Sequence, residues 1–121
     1  SNVLTVTREI RRVVHDLATD EIAAEVTDGA GVRRLVPEDI EITKKARERY
    51  SVTADDLATV TGETRWEMGL ARGDWEVRTL TETRLTADAE SFLIVARQRA
   101  WEGGELVHDT EWDRRIPRDL V

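Results

Sequence analysis

The amino-acid sequence predicts an all-β sandwich, or half of one. Apolar and polar residues alternate with a period of two through most of the 121 residues. Turn-forming clusters recur between the alternating runs, and no stretch sustains helical periodicity. Seven or so strands without an intervening helix follow from that pattern.

The first strand is expected from Val3 to Val14, with Leu4, Val6, Ile10 and Val14 on one face and Thr5, Thr7, Glu9 and Arg11 on the other. Asp16–Asp20 (DLATD) reads as a turn. Ile22, Ala24 and Val26 alternate up to Asp28-Gly29-Ala30-Gly31, a loop tolerant of positive φ. Val32–Val36 is expected to return as the second strand of a hairpin, ended by Pro37. Ile40, Ile42, Ala46, Tyr50 and Val52 share a face if their segment is extended. The KKARER stretch within it has helical propensity, but the β-branched and aromatic residues around it favour strand.

Thr53–Asp56 is turn-like, and Ala58, Val60, Gly62 and Thr64 lead into Trp66. Arg72-Gly73-Asp74 makes a sharp turn. Trp75, Val77, Thr79, Thr81, Thr83 and Leu85 then face one way, with Glu76, Arg78, Glu82 and Arg84 opposed. Ala87–Glu90 breaks that strand. Phe92–Trp101 and Glu105–Trp112 form a hairpin about Gly103-Gly104. The register expected from this turn sets Trp101 against Leu106 and Val95 against Trp112, with both tryptophans on one face.

Composition narrows the function. A net charge of −7 disfavours nucleic acid and anionic membranes, which attract positive fields. No cysteine is present, so disulfides and thiolate metal sites are excluded. No apolar run is long enough for a membrane helix, and no signal peptide is recognisable. Location is left open, with the cytoplasm slightly favoured. Ser1-Asn2 reads as a tag scar, leaving residues 3–121 as one β domain. Four tryptophans beside one Phe and one Tyr are expected to dominate the core.

Catalytic chemistry is sparse. Ser1, Ser51 and Ser91 sit in SNV, YSV and ESF, none of them a G-x-S-x-G elbow. His15 and His108 adjoin Asp16 and Asp109, but strand neighbours point to opposite faces, so both read as surface histidines. Two isolated histidines fall short of a zinc site. The acids around Asp16, Asp20 and Glu21, at Asp28, and at Glu38, Asp39 and Glu41 lack a calcium-loop pattern and read as a solvated rim. Arg72–Asp74 is read as a turn rather than an adhesion motif, and DGAG and EGG open no helix that would cradle phosphate. Catalytic residues, metal ligands and cofactors are therefore assigned to none. The candidate ligand-facing aromatics are Trp66 and Trp75, which would stack sugars if exposed; burial in the core is the expected alternative.

The segment FLIVARQRAWEGGELVHDTEWDRRIPRDLV, Phe92–Val121, resembles the end of the CocE/NonD hydrolases, acyl esterases related to X-prolyl dipeptidyl aminopeptidases. VTREIRRVVHDLATDEI, ERYSVTADDLAT, RGDWEVR and the run from Thr81 to Phe92 are also similar to that family, so the resemblance spans nearly the whole chain. It implies the C-terminal part of a jelly roll, an accessory domain that packs on an α/β-hydrolase core, walls the substrate cleft and supports oligomerisation. None of the family's catalytic residues has a matching position here. The implied partners are the missing hydrolase domain and, because half a sandwich exposes an apolar sheet face, further copies of the chain.

Three readings follow. The first is a non-catalytic accessory domain of such a hydrolase. The second is a freestanding β domain for a sugar or small apolar ligand. The third is an enzyme built on paired acids such as Glu102 and Glu105, which straddle the hairpin turn.

Overall fold

The computed structural model describes residues 2–6, 9–35 and 38–118. It is all-β, as the alternation predicts, and consists of one antiparallel sheet. The strands are β1 (Asn2–Val6), β2 (Ile10–Asp16), β3 (Glu21–Leu35), β4 (Ile40–Thr53), β5 (Asp56–Arg72), β6 (Trp75–Ala87), β7 (Ser91–Glu102) and β8 (Glu105–Pro117). From β2 to β8 each strand pairs with its neighbour in sequence, and β1 pairs with the far half of β3 beside β2. The result is one open sheet, consistent with one layer of a sandwich.

Two expectations about the N-terminal third are corrected. Val3–Val14 is not one strand: β1 and β2 are separate, and each lies against its own half of β3. Nor does DGAG turn the chain back. Asp28 pairs with Ala46 and Gly31 with Lys44, so β3 spends two residues where β4 spends one. The glycines accommodate a β-bulge within a continuous 15-residue strand rather than a hairpin loop. The strand end expected at Pro37 lies outside the described residues, as do Ser1 and the Asp119-Leu120-Val121 tail.

The remaining elements follow the sequence closely. KKARER is extended, inside β4. Tight turns sit where turn chemistry placed them. Gly103 and Gly104 both have positive φ, 59° and 92°, at the β7–β8 turn, and Gly73 has φ 57° at the β5–β6 turn. Less favourably, the β4–β5 turn places Ala54 and Asp55 at φ 49° and 56°, a conformation in which a side chain crowds its own backbone. The Ala54 N–H donates to the Asp20 carbonyl, tying this turn to the β2–β3 turn. Asp16 in turn accepts from the Ala18 and Thr19 N–H groups.

The hairpin register holds at its mouth, where Trp101 opposes Leu106, and slips beyond it. Ala100 opposes His108, leaving Val107 as an extra residue, so Trp112 opposes Ala96 and not Val95. This bulge puts Trp112 on the face opposite Trp101 and corrects the expectation that the two share one.

Alternation divides the sheet into two faces. One carries Ile42, Ala46, Tyr50, Trp66, Leu85 and Ile94 among its residues; the other carries Glu25, Arg49, Glu63, Arg84, Arg97 and Asp109. With a single layer, few side chains are fully enclosed. Among the described residues the buried apolar ones are Ala23, Ala46, Leu80 and Ala96, and none of these is a tryptophan. Leu80, only 4% exposed, lies on the charged face near Arg78, Arg99 and Trp101.

Two stability predictions follow, both read from urea-unfolding midpoints. Ala54→Asn relieves the left-handed strain and is expected to stabilise by about 0.5–1 kcal/mol. Leu80→Ala is expected to destabilise by about 2–3 kcal/mol, a large loss for a side chain on the nominally polar face.

Candidate functional surface

The charged face is organised as ladders running across the strands. Arg12 pairs with Glu25 at 3.2 Å, Arg49 with Glu21 at 2.9 Å, and Arg99 with Glu82 at 2.7 Å. Arg97 grips Asp109 with two hydrogen bonds, at 3.1 and 2.9 Å. That grip holds the Asp109 carboxyl below its ordinary pKa and raises the Arg97 guanidinium above its own. A groove of about 580 Å³ crosses this face, bordered by Arg47, Arg65, Arg84 and Arg97 with Glu63, Glu82 and Glu111 interspersed. Glu63 opposes Arg84 and Glu82 opposes Arg97, while Arg47 and Arg65 oppose each other as like charges. Trp101 belongs to this face, with the Arg78 guanidinium 4.1 Å from its ring centre.

The opposite face is open and sets exposed aromatic and aliphatic side chains among Thr79, Thr81, Thr83, Gln98, Lys44 and Glu48. Trp66 is 51% exposed, Trp75 46% and Trp112 54%, so these three tryptophans do not build the core expected of them. Ile22, Tyr50, Met68 and Ile116 are exposed on the same face. Trp66 stands between two hollows of about 290 and 280 Å³. The first is bordered by Val26, Ala46 and Glu48, the second by Lys44, Met68 and Thr79. Ala46, opposite Trp66 on β4, leaves space beside the indole.

The sequence singled out Trp66 and Trp75 as ligand-facing aromatics, and both lie exposed on one face. They are not brought together. Trp66 opposes Thr81, six residues along β6 from Trp75, a span of roughly 20 Å. Only Trp66 borders a hollow among those described.

The serines and histidines are occupied separately. The buried Ser51 hydroxyl bonds to Thr61, and the buried Ser91 hydroxyl bonds to Asp88 and receives Arg115. The His15 Nε2 lies 2.7 Å from Asp20, not from its neighbour Asp16, and His108 lies 3.0 Å from the Thr110 hydroxyl, not from Asp109. Among the described residues no serine hydroxyl bonds to an imidazole. The acidic rim is likewise engaged locally: Arg34 takes Asp39 and Glu41, and Arg49 takes Glu21. Glu102 and Glu105 oppose each other, exposed, at the β7–β8 turn. Among the described residues no group of three or more potential ligands gathers to hold a metal ion.

The alternation of β4, β5 and β6 already contained both faces. The decisive signal for the apolar surface, however, is that no second layer covers it, which no local pattern encodes. Comparison with known protein families, with curated proteins and with solved structures finds no match to this chain.

The turn before β7 yields a pH prediction. The Asp88 carboxylate accepts from the Glu90 and Ser91 backbone N–H groups, at 2.8 and 2.7 Å, which depresses its pKa below the ordinary 3.8. Its contribution is fully present above that ordinary value and disappears as pH falls through the lower folded value. Asp88→Ala is therefore expected to destabilise at neutral pH and to show a shallower acid loss than the parent, measured by urea unfolding at pH 7 and near pH 3.

Proposed function

We propose that this chain is a non-catalytic accessory β domain of a CocE/NonD-type serine hydrolase, an acyl esterase or X-prolyl peptidase-like enzyme. In this reading it contributes stability, assembly and part of the wall of the substrate cleft. The observation that carries the reading is the division of the sheet. One face pairs several of its charges across the strands, while the other presents half-exposed tryptophans and aliphatic residues. Such a surface acts by packing. The resemblance of Phe92–Val121 and of the segments before it names the parent class, and an α/β-hydrolase domain of that parent supplies the nucleophile, base and oxyanion hole.

The positions of Ser51 and Ser91 agree with a structural role. Each hydroxyl is buried and engaged with a neighbouring strand or turn, where an attacking hydroxyl needs an imidazole and room for a carbonyl.

A sugar- or small-ligand-binding domain is the second reading, favoured by Trp66 and its two flanking hollows. It requires saturable quenching of tryptophan fluorescence by an oligosaccharide, abolished in Trp66→Ala.

The accessory reading predicts that the purified chain neither hydrolyses p-nitrophenyl esters or X-Pro anilides nor reacts with a fluorophosphonate probe. Turnover that vanishes in Ser51→Ala or Ser91→Ala would contradict it. So would a full-length gene product in which no G-x-S-x-G elbow accompanies this segment.

A further inference from the structure

The accessible surface of the chain is 8733 Å². A compact folded protein of 13.8 kDa exposes about 6,600 Å², so this sheet carries an excess of roughly 2,100 Å². A stable interface takes about 800 Å² from each partner. One uncovered sheet face accounts for such an excess, and its half-exposed tryptophans are the residue type that anchors interfaces.

We propose that this face is covered by a second copy of the chain, packed sheet on sheet about a two-fold axis lying between the layers. The axis crosses the strands along the row of Ala46 and Trp66. The pairing requires nothing of the hydrolase reading, because it rests on the surface of this sheet alone.

Two charges on β4 select this axis. Lys44 and Glu48 stand on the apolar face two residues to either side of Ala46. A two-fold axis across the strands at Ala46 reverses β4 in the second layer. Lys44 then meets the partner's Glu48, and Glu48 meets the partner's Lys44, so the two β4 charges face their opposites. An axis along β4 would instead set like charges together.

Elsewhere on the face the same operation pairs aromatic and aliphatic groups, and it brings Asp28, which lies on the axis row opposite Ala46, near its own counterpart. The two Trp66 rings meet at the axis, with the small Ala46 side chains and the flanking hollows providing room for offset stacking. Leu85 lies as far on one side of the axis row as Val77 lies on the other, so each covers its counterpart in the partner. The charged faces remain outermost, in water.

The test uses the intact chain, with mass measured by light scattering after size exclusion at micromolar concentration. The expected mass is twice the 13.8 kDa of one chain. Lys44→Glu and Glu48→Lys are each expected to weaken the dimer about tenfold or more, by facing like charges across the axis. Mixing the two weakened variants is expected to restore association, since each reversed charge then meets its opposite. The double variant K44E/E48K is likewise expected to dimerise. Lys45→Glu makes the same change of charge on the opposite face and is expected to leave the dimer intact. Circular dichroism checks that each variant keeps its β structure.

A monomeric parent chain would overturn the proposal and point to another segment of a longer polypeptide as the cover. Single reversals without effect, or a mixture that stays monomeric, would overturn it too, and would move association to the strand edges.

Discussion

Everything in this molecule depends on keeping a strict two-residue alternation in phase across eight strands. A sheet held together by backbone hydrogen bonds has no intrinsic preference for either face. Here the side chains supply it, because alternation sends the tryptophans Trp66, Trp75 and Trp112 one way and most of the arginines of β4 to β7 the other. A slip of one residue in any central strand would bury arginines among the aliphatics. The bulges at Asp28–Gly31 in β3 and at Ala100–Trp101 in the last hairpin are among the places where the register shifts.

The charged face resists such slips. Individual exposed ion pairs add little stability, but the row Glu25, Arg49, Glu63 and Arg84 alternates in charge across four strands and penalises registers that set its like charges opposite. The pairs Arg49–Glu21, Arg99–Glu82 and Arg97–Asp109 each join neighbouring strands or strand ends, so they act on register more than on total stability. Trp101 departs from the polar character of that face and is accommodated by the guanidinium over its ring. Its apolar area adjoins Leu80, giving the charged face a small core of its own.

How much of this was legible depends on whether the physics was local. The long strands from Ile40 onwards, the Gly103-Gly104 turn and the break near Asp88 were readable, because alternation and turn chemistry act over a few residues. DGAG misled, since glycine serves both a hairpin loop and a bulge, and the choice was made by β4 pairing straight through it. The pairing of Val95 with Trp112 failed for a related reason: a bulge one step from the turn shifts all later partners. The tryptophans were assigned to a core because large aromatics are commonly buried. Their exposure follows from the single-layer arrangement, a property of the whole sheet rather than of any segment. The separation of Trp66 from Trp75 was equally hidden, since it is set by cross-strand register.

The central claim is that the apolar face is a contact surface and not a solvent-facing one. Hydroxyl-radical footprinting tests it directly, side chain by side chain, on the protein in solution. The account predicts that Trp66, Met68 and Trp112 react far less than their exposure in the single sheet allows, while Leu17, Leu57 and Val107 at turns and bulges react freely. Full reactivity of Trp66, Met68 and Trp112, matching that of the turn residues, would contradict it.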